Sequence, residues 1–231
     1  MIALHCINQH YGGTQILWDL DLKIEEGSCV CVIGRNGVGK TTLLKCLMGL
    51  LPLSSGKISV SDTDFSEETA DKRAREGIGY VPQGREIFPL LTVEENLRIG
   101  LGARTDNVSV IPQKIFELFP VLHEMLMRRG GDLSGGQQQQ LAIARALVID
   151  PKILILDEPN EGIQPNIVAE IGRVITYLNK TEGITVLLVE QKIAFARKVS
   201  KEFRLMEKGR IVASGLMNEL SDGLISKHLA V

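Results

Sequence analysis

Apolar and polar positions along the 231-residue chain change their period several times, and each change marks an element. The first third reads as strands: "IALHCIN", "ILWDLDLKI" and "SCVCVIG". "DLDLKI" alternates, as a strand with one exposed face does, whereas "CVCVI" is continuously apolar, as a strand covered on both faces is. A helix is predicted from Gly39 to about Leu50, stopping near Pro52. "GKISV" then reads as a short strand, "SEETADKRAREG" as a charged helix ended by Gly77, and "IGYVPQ" as a strand running into a loop. From about Arg85 to Val148 the period is helical, through "TVEENLRIGL", "IPQKIFELF" and the run after Ser134. Strands and helices then alternate again: the strand "KILILDE", a helix from Pro165 to Asn179, the strand "ITVLLVEQ", a helix from Lys192 to Ser200, and a hairpin in "EFRLMEKGRIVASG" turning at Lys208–Gly209. No segment repeats another. This alternation predicts an α/β core with a mostly parallel sheet that binds ligands at the carboxyl ends of its strands. The helical stretch 85–148 reads as an insert between core segments of about 1–84 and 149–231.

"LSGGQQQQLAIARAL", from Leu133 to Leu147, holds four consecutive glutamines. A disordered polar tract stays polar, because low hydrophobicity is what keeps such segments unfolded. Here Leu141, Ala144 and Val148 follow at helical spacing, so the run is expected to be a helix with one buried stripe. Ser134 is a helix-start residue, and Gly135 and Gly136 leave backbone N–H groups uncovered, which makes this turn a candidate anion site.

Composition narrows the class. Hydrophobic residues make up 44% and charged residues 23% of the chain, as in a globular protein, and the net charge of −2 argues against a nucleic-acid partner bound by bulk electrostatics. The N-terminus lacks the charged start and apolar core of a secretory signal. The longest apolar runs, such as "ITVLLV", fall far short of the roughly 20 residues that span a bilayer, so any membrane must come with a partner. Cys6, Cys29, Cys31 and Cys46 have no metal-binding spacing and are expected to be reduced, mostly core thiols. Cys29 and Cys31 share one side of their strand. His5, His10, His123 and His228 are scattered and read as surface or satisfied histidines.

"GRNGVGKT", from Gly34 to Thr41, matches G-x-x-x-x-G-K-[ST] between a buried strand and a helix, the context this motif requires. Gly34, Gly37 and Gly39, with Arg35, Asn36 and Val38, let backbone N–H groups wrap a triphosphate. Lys40 adds positive charge at the β- and γ-phosphates, and Thr41, followed by Thr42, is placed to ligate Mg²⁺. "ILILDE" puts Asp157 and Glu158 at a strand end, where Asp157 can hold Mg²⁺ and Glu158 can polarise an attacking water. Gln83 and Gln191 also end strands; each amide is within reach of the metal, the water or the γ-phosphate, while ordinary solvation is the default reading for either one alone. Tyr11 is either a base-stacking ring or core.

Together these residues resemble an ATP-binding-cassette (ABC) ATPase over essentially the whole chain: the phosphate loop "GRNGVGKT", a glutamine loop at Gln83, the signature "LSGGQ" and the acidic strand "ILILDE", in family order. The resemblance implies a single phosphate-loop domain with N-terminal antiparallel strands and an inserted helical subdomain, using ATP and Mg²⁺. It implies that Ser134, Gly135, Gly136 and Gln137 bind the ATP held on a second ABC subunit, that Tyr11 stacks on adenine, and that Gln83 reads the metal (with Thr41 and Asp157) and touches a membrane partner. Glu158 would be the water-polarising acid and Gln191 the γ-phosphate sensor. Two positions depart from the usual pattern. Gln191 stands where most members have histidine, and a glutamine cannot carry a proton as imidazole can. Gln164 stands where many have aspartate. Asn160, often threonine in close relatives, reads as neutral. "YVPQGREIFPLLTVEENL" and "LDEPNEGIQPNI" are similar to the ATPase subunits of branched-chain amino-acid importers, and "PQGREIFP" and "EGIQP" to those of urea importers in particular. The implied setting is the cytoplasmic face of the membrane, with permease subunits, a second ATPase that is a different chain in the cell, and a solute-binding protein acting indirectly.

Two other classes are weaker. ABC ATPases of DNA repair or translation usually carry a long coiled coil or two cassettes, and no heptad run is present here. Nucleotide-binding modules without turnover often lack the acid at Glu158.

Overall fold

A computed structural model describes residues 1–106 and 108–229. In chain order the main elements are β1 (Ile2–Tyr11), β2 (Thr14–Ile24), β3 (Cys29–Ile33), α1 (Lys40–Leu47), β4 (Ser55–Val60), β5 (Thr63–Asp64), α2 (Ala70–Arg75), β6 (Ile78–Val81), α3 (Val93–Leu101), α4 (Gln113–Leu118), α5 (Pro120–Glu124), α6 (Gly135–Leu147), β7 (Ile153–Asp157), α7 (Pro165–Lys180), β8 (Thr185–Glu190), α8 (Ile193–Val199), β9 (Glu202–Glu207), β10 (Arg210–Leu216) and α9 (Asp222–His228).

The strands form two sheets. An antiparallel sheet runs β2-β1-β4-β5, and a second runs β10-β9-β3-β8-β7-β6. In the second sheet β9, β3, β8, β7 and β6 are parallel, and β10 closes one edge as the antiparallel arm of the predicted hairpin. Lys208 (φ 45°) and Gly209 (φ 77°) make its turn, the left-handed pair a tight hairpin uses.

The apolar run of β3 is explained by burial on both faces. Cys29, Cys31 and Ile33 pack with α6, α7 and α8. Val30 and Val32 pack with α1 and the antiparallel sheet, against Ile2, Leu4, Leu17 and Leu43. The parallel sheet is therefore the central layer. Its carboxyl ends, at Ile33, Val81, Asp157 and Glu190, all open toward loops that carry polar residues.

Several sequence expectations need adjustment. The first helix ends at Leu47, with Gly49 at φ 69° turning the chain, rather than near Leu50. The "charged helix" is only six residues, and its Arg73 is buried at 2% exposure. The Arg73 guanidinium donates to the carbonyls of Cys46, Leu47, Phe65 and Glu68, so it caps the end of α1 instead of facing solvent. Helix α6 is buried nearly all round: Gln139 and Gln140 are as covered as Leu141 and Ile143, because α3 and the parallel sheet enclose it. Strand β5 and helices α5 and α9 have no counterpart among the sequence expectations. Three cysteines are buried and free as expected, and burial pushes the Cys29 and Cys46 thiols up to about 11; Cys6 is free and exposed.

Candidate functional site

Strand β3 delivers the chain into the loop 34–39, and α1 starts at Lys40. Gly34 passes so close to β9 that an added Cβ would lie 2.6 Å from the Met206 carbonyl oxygen. Gly39 precedes the helix at φ 106°, a backbone that side-chain-bearing residues avoid. The loop is thus held against the sheet while Arg35, Asn36 and Gly37 stay exposed.

Lys40 is buried at 5%. Its ammonium donates to the carbonyl oxygens of Gly34 and Arg35, both at 2.9 Å, and lies 3.2 Å from a Glu158 carboxylate oxygen. A buried ammonium must be paired, and in this chain its own loop and Glu158 do so. Glu158 follows the end of β7 with φ 48°, and its N–H donates to the Val189 carbonyl of β8. A left-handed non-glycine residue is uncommon and here aims a carboxylate back at the phosphate loop.

A cavity of about 280 Å³ is lined by Ile16, Asn36, Gly37, Gly39, Lys40, Thr41, Thr42, Gln83 and Glu158. Most of the expected nucleotide residues therefore converge on one space. Gly34, Arg35 and Val38 complete the loop outside its lining. Tyr11 is 46% exposed at the end of β1, beside the turn at Gly12–Gly13. Asp157 lies beneath, 1% exposed, and neither carboxylate oxygen has a hydrogen-bond partner. Burial pushes its pKa up to about 6, with Thr41 and Lys40 leaning the other way. Gln83 is exposed, and its amide donates to the Glu161 carboxylate at 3.1 Å.

The signature lies elsewhere. Ser134, Gly135, Gly136 and Gln137 line a separate cavity of about 330 Å³ with Gln140, Gly162, Gln164, Ile167 and Glu170. Ser134 and Gln137 form a reciprocal cap: Gln137 N–H donates to the Ser134 hydroxyl at 3.4 Å, and Ser134 N–H to the Gln137 side-chain oxygen at 2.9 Å. The two cavities share no lining residue.

Sequence reasoning missed Glu190 and Asn96. Glu190 ends β8, is 1% exposed, and one oxygen accepts the N–H groups of Gln191 (3.1 Å) and Lys192 (3.2 Å). Its other oxygen has no partner, and burial pushes the pKa up to about 7. The carboxylate thus shapes the turn that presents the exposed Gln191. An acid closing an otherwise apolar run was the available signal. Asn96 is fully buried on α3 and pins the loop after Gln83 by bonding Phe88 N–H at 2.9 Å and the Phe88, Leu91 and Thr92 carbonyls. Nothing in the hydrophobic period announces it.

Among the described residues, no group of three or more His, Cys, Asp or Glu side chains is placed to hold a metal. His228 pairs with Glu207 at 2.7 Å, and His10 meets the Ser54 hydroxyl at 3.0 Å. No helix of the described residues is long and apolar enough to cross a membrane.

Known proteins resemble the chain in sequence and in fold. The family model described as "ABC transporter" matches residues 17–161. The chain is 41% identical over 213 residues to the high-affinity branched-chain amino acid transport ATP-binding protein BraG of Pseudomonas aeruginosa, covering 92% of this chain and 91% of that one. It is 37% identical over 217 residues to the probable branched-chain amino acid transport ATP-binding protein LivF of Archaeoglobus fulgidus, covering 93% and 91%. The dimeric structure of MJ0796, a bacterial ABC transporter cassette, matches the fold with a TM-score of 0.86 at 26% identity over 94% of this chain and 99% of that one. The same cassette in a post-hydrolysis state bound to ADP and Pi matches at 0.85 and 25% identity, covering 94% and 99%.

Proposed function

The chain belongs to the ABC transporter family as an ATP-hydrolysing subunit of the amino-acid importer type, and on that premise we propose that it powers uptake of urea through separate permease subunits. The observation that carries the ATPase part is the convergence of Lys40, Thr41, Gln83 and Glu158 on one cavity, with the signature turn in another. The urea part is supported by "PQGREIFP" and "EGIQP". Branched-chain amino acids or short amides are the second reading, favoured by the names of BraG and LivF.

In the mechanism, ATP lays its phosphates along the N–H groups of loop 34–39 with its adenine on Tyr11. Lys40 exchanges its pairing with Glu158 for the phosphate oxygens. Freed of that pair, Glu158 polarises the attacking water as general base, and Gln191, held out by Glu190, contacts the γ-phosphate by hydrogen bonding. Mg²⁺ fits the site, since both buried Asp157 oxygens lack a protein partner and an all-oxygen donor set suits a hard cation. Thr41, Asp157 and Gln83 would hold it, and when bound it supplies charge neutralisation at the phosphates. The signature turn of one subunit, Ser134 to Gln137, closes over the ATP of the other. Binding closes the pair and hydrolysis reopens it.

We place the chain at the cytoplasmic face of the membrane, beside a second and different ATPase in the cell and a solute-binding protein that acts on the permease. The solute never touches this chain, so the test is made on the assembly. The membrane proteins that co-purify with the chain are reconstituted in vesicles, and ATP-driven uptake of labelled urea and labelled leucine is measured. Urea uptake supports the proposal. Leucine uptake without urea uptake replaces urea with the second reading.

A further inference from the structure

The segment after Gln83 holds two consecutive non-glycine residues in left-handed backbone, Arg85 (φ 73°) and Glu86 (φ 47°). Such residues persist only where surrounding contacts over-determine them, and the contacts here are specific. The Arg85 guanidinium donates through Nη1 to the Gln138 side-chain oxygen at 3.1 Å and through Nη2 to the Glu161 carbonyl oxygen at 3.5 Å. It also lies directly over Gly135, where an added Cβ would sit 3.2 Å from both Nη1 and Nη2. From the other side, Arg145 Nη2 donates to the Arg85 and Glu86 carbonyls at 3.4 and 2.8 Å, and the Arg145 guanidinium stacks on Phe88 at 5.2 Å. Arg85 therefore ties three segments together: the loop behind Gln83, the loop behind Glu158, and the first turn of α6.

We infer that Arg85 is a positioning residue for the signature, fixing the first turn of α6 against the loop 158–162 so that Ser134, Gly135 and Gly136 meet the partner's ATP in register. The inference rests on the dimeric ATPase reading above. It also accounts for the residue type. A planar fork sends separate N–H groups to Gln138 and Glu161 in one fixed geometry, where a lysine offers a single flexible point donor. A guanidinium over a helix N-terminus is electrostatically unfavourable in the free chain and becomes favourable when a phosphate arrives there. Gly135 is small because a side chain would push the fork aside.

The test uses the full chain carrying Glu158→Gln, with and without Arg85→Ala. The Mg²⁺–ATP concentration giving half-maximal dimer is read by size-exclusion chromatography, and ATP affinity of the monomer by equilibrium titration without Mg²⁺. Arg85→Ala should raise the dimerising concentration about tenfold, the worth of one charge-assisted hydrogen bond, and leave monomer affinity unchanged because its own phosphate loop is untouched. Arg85→Lys should recover only part. Equal dimerisation with and without Arg85→Ala overturns the inference. If Glu158→Gln alone never dimerises, self-dimerisation fails instead, and Arg85 is judged in the nucleotide-free chain by hydrogen exchange. Faster exchange at Gly135–Gln137 with unchanged exchange at Gly37–Thr41 supports the inference, and unchanged exchange at both overturns it.

Discussion

Glu158→Gln changes one charge and no shape, and it acts twice. In the nucleotide-free chain the Glu158 carboxylate faces Lys40 at 3.2 Å, with side-chain exposures of 12% and 5%. At that separation and an effective dielectric near 20 the bare attraction is about 5 kcal/mol, and truncating one partner of a buried pair typically costs about 3–5 kcal/mol. Both figures are ceilings, because the glutamine oxygen still accepts a hydrogen bond and Lys40 keeps the Gly34 and Arg35 carbonyls. A loss on the order of 1–2 kcal/mol remains after that discount, and all of it falls on the empty state. ATP would then displace a weaker competitor from Lys40, so affinity should rise roughly 5- to 30-fold. Hydrolysis should fall about 10²- to 10⁴-fold with the loss of general-base assistance, and a closed dimer should accumulate on Mg²⁺–ATP. The checks are titration with a fluorescent ATP analogue without Mg²⁺, phosphate release at saturation, and thermal unfolding. The empty variant should melt lower than wild type and gain more from ATP. Wild-type turnover would remove Glu158 as general base, and unchanged or weaker ATP affinity would refute the competition for Lys40.

Tyr11→Ala should weaken ATP affinity by about 1 kcal/mol, the scale of an aromatic stack, while Tyr11→Phe is mild; equal affinity for all three would make the ring a surface residue only. Phe88 is 43% exposed and touches Arg145 rather than the core, so Phe88→Glu should fold and bind ATP yet lose coupled transport in reconstituted vesicles. A variant that transports normally would move the permease contact away from this loop. For pH, burial raises Glu190 from 4.5 to about 7 and Asp157 from 3.8 to about 6, so the folded, ligand-free chain holds extra protons between those values. Their contribution to stability is therefore greatest at the acid end and is lost as pH rises, through 3.8 to about 6 for Asp157 and 4.5 to about 7 for Glu190. The Glu190 part is worth up to about 3 kcal/mol. Glu190→Gln should flatten the dependence, giving a smaller drop in melting temperature between pH 5 and pH 8 than wild type. An identical drop in both proteins would show that Glu190 does not carry it.

Much of this was legible in the sequence because the relevant signals are local. "CVCVI", "ILILD" and "TVLLVE" are apolar runs of strand length, and a buried parallel strand has no other way to look. The phosphate loop is one contiguous motif, Gly34 to Thr41, legible as such although the close approach that requires Gly34 comes from the distant Met206. What stayed hidden depends on contacts distant in sequence. Arg73 reads as a surface charge until the carbonyls at the end of α1 are seen around it, and α6 reads as amphipathic until α3 and the sheet cover its polar side. Glu190 and Asn96 are polar residues whose partners are backbone groups of turns. Side-chain-to-turn bonds of this kind leave no period in the sequence.

The same distinction explains the resting state of the site. Lys40 sits against Glu158, Gln83 against Glu161, and Ser134 against Gln137. Each is a group that the reaction needs elsewhere, and each is held by a neighbour that can let it go. The buried Lys40 ammonium cannot stay unpaired without a cost on the order of a few kcal/mol, so a chain that must wait for nucleotide has to supply a substitute there. Gln83 and Ser134, by contrast, are exposed, and their partners only fix conformation. Every substitute here is a functional position itself or lies three residues from one, as Glu161 does from Glu158. On the proposed mechanism, phosphate displaces Glu158 from Lys40 and so releases the base as its substrate arrives. Nucleotide binding and release of the base are linked, on that mechanism, through the Lys40–Glu158 contact of the empty site.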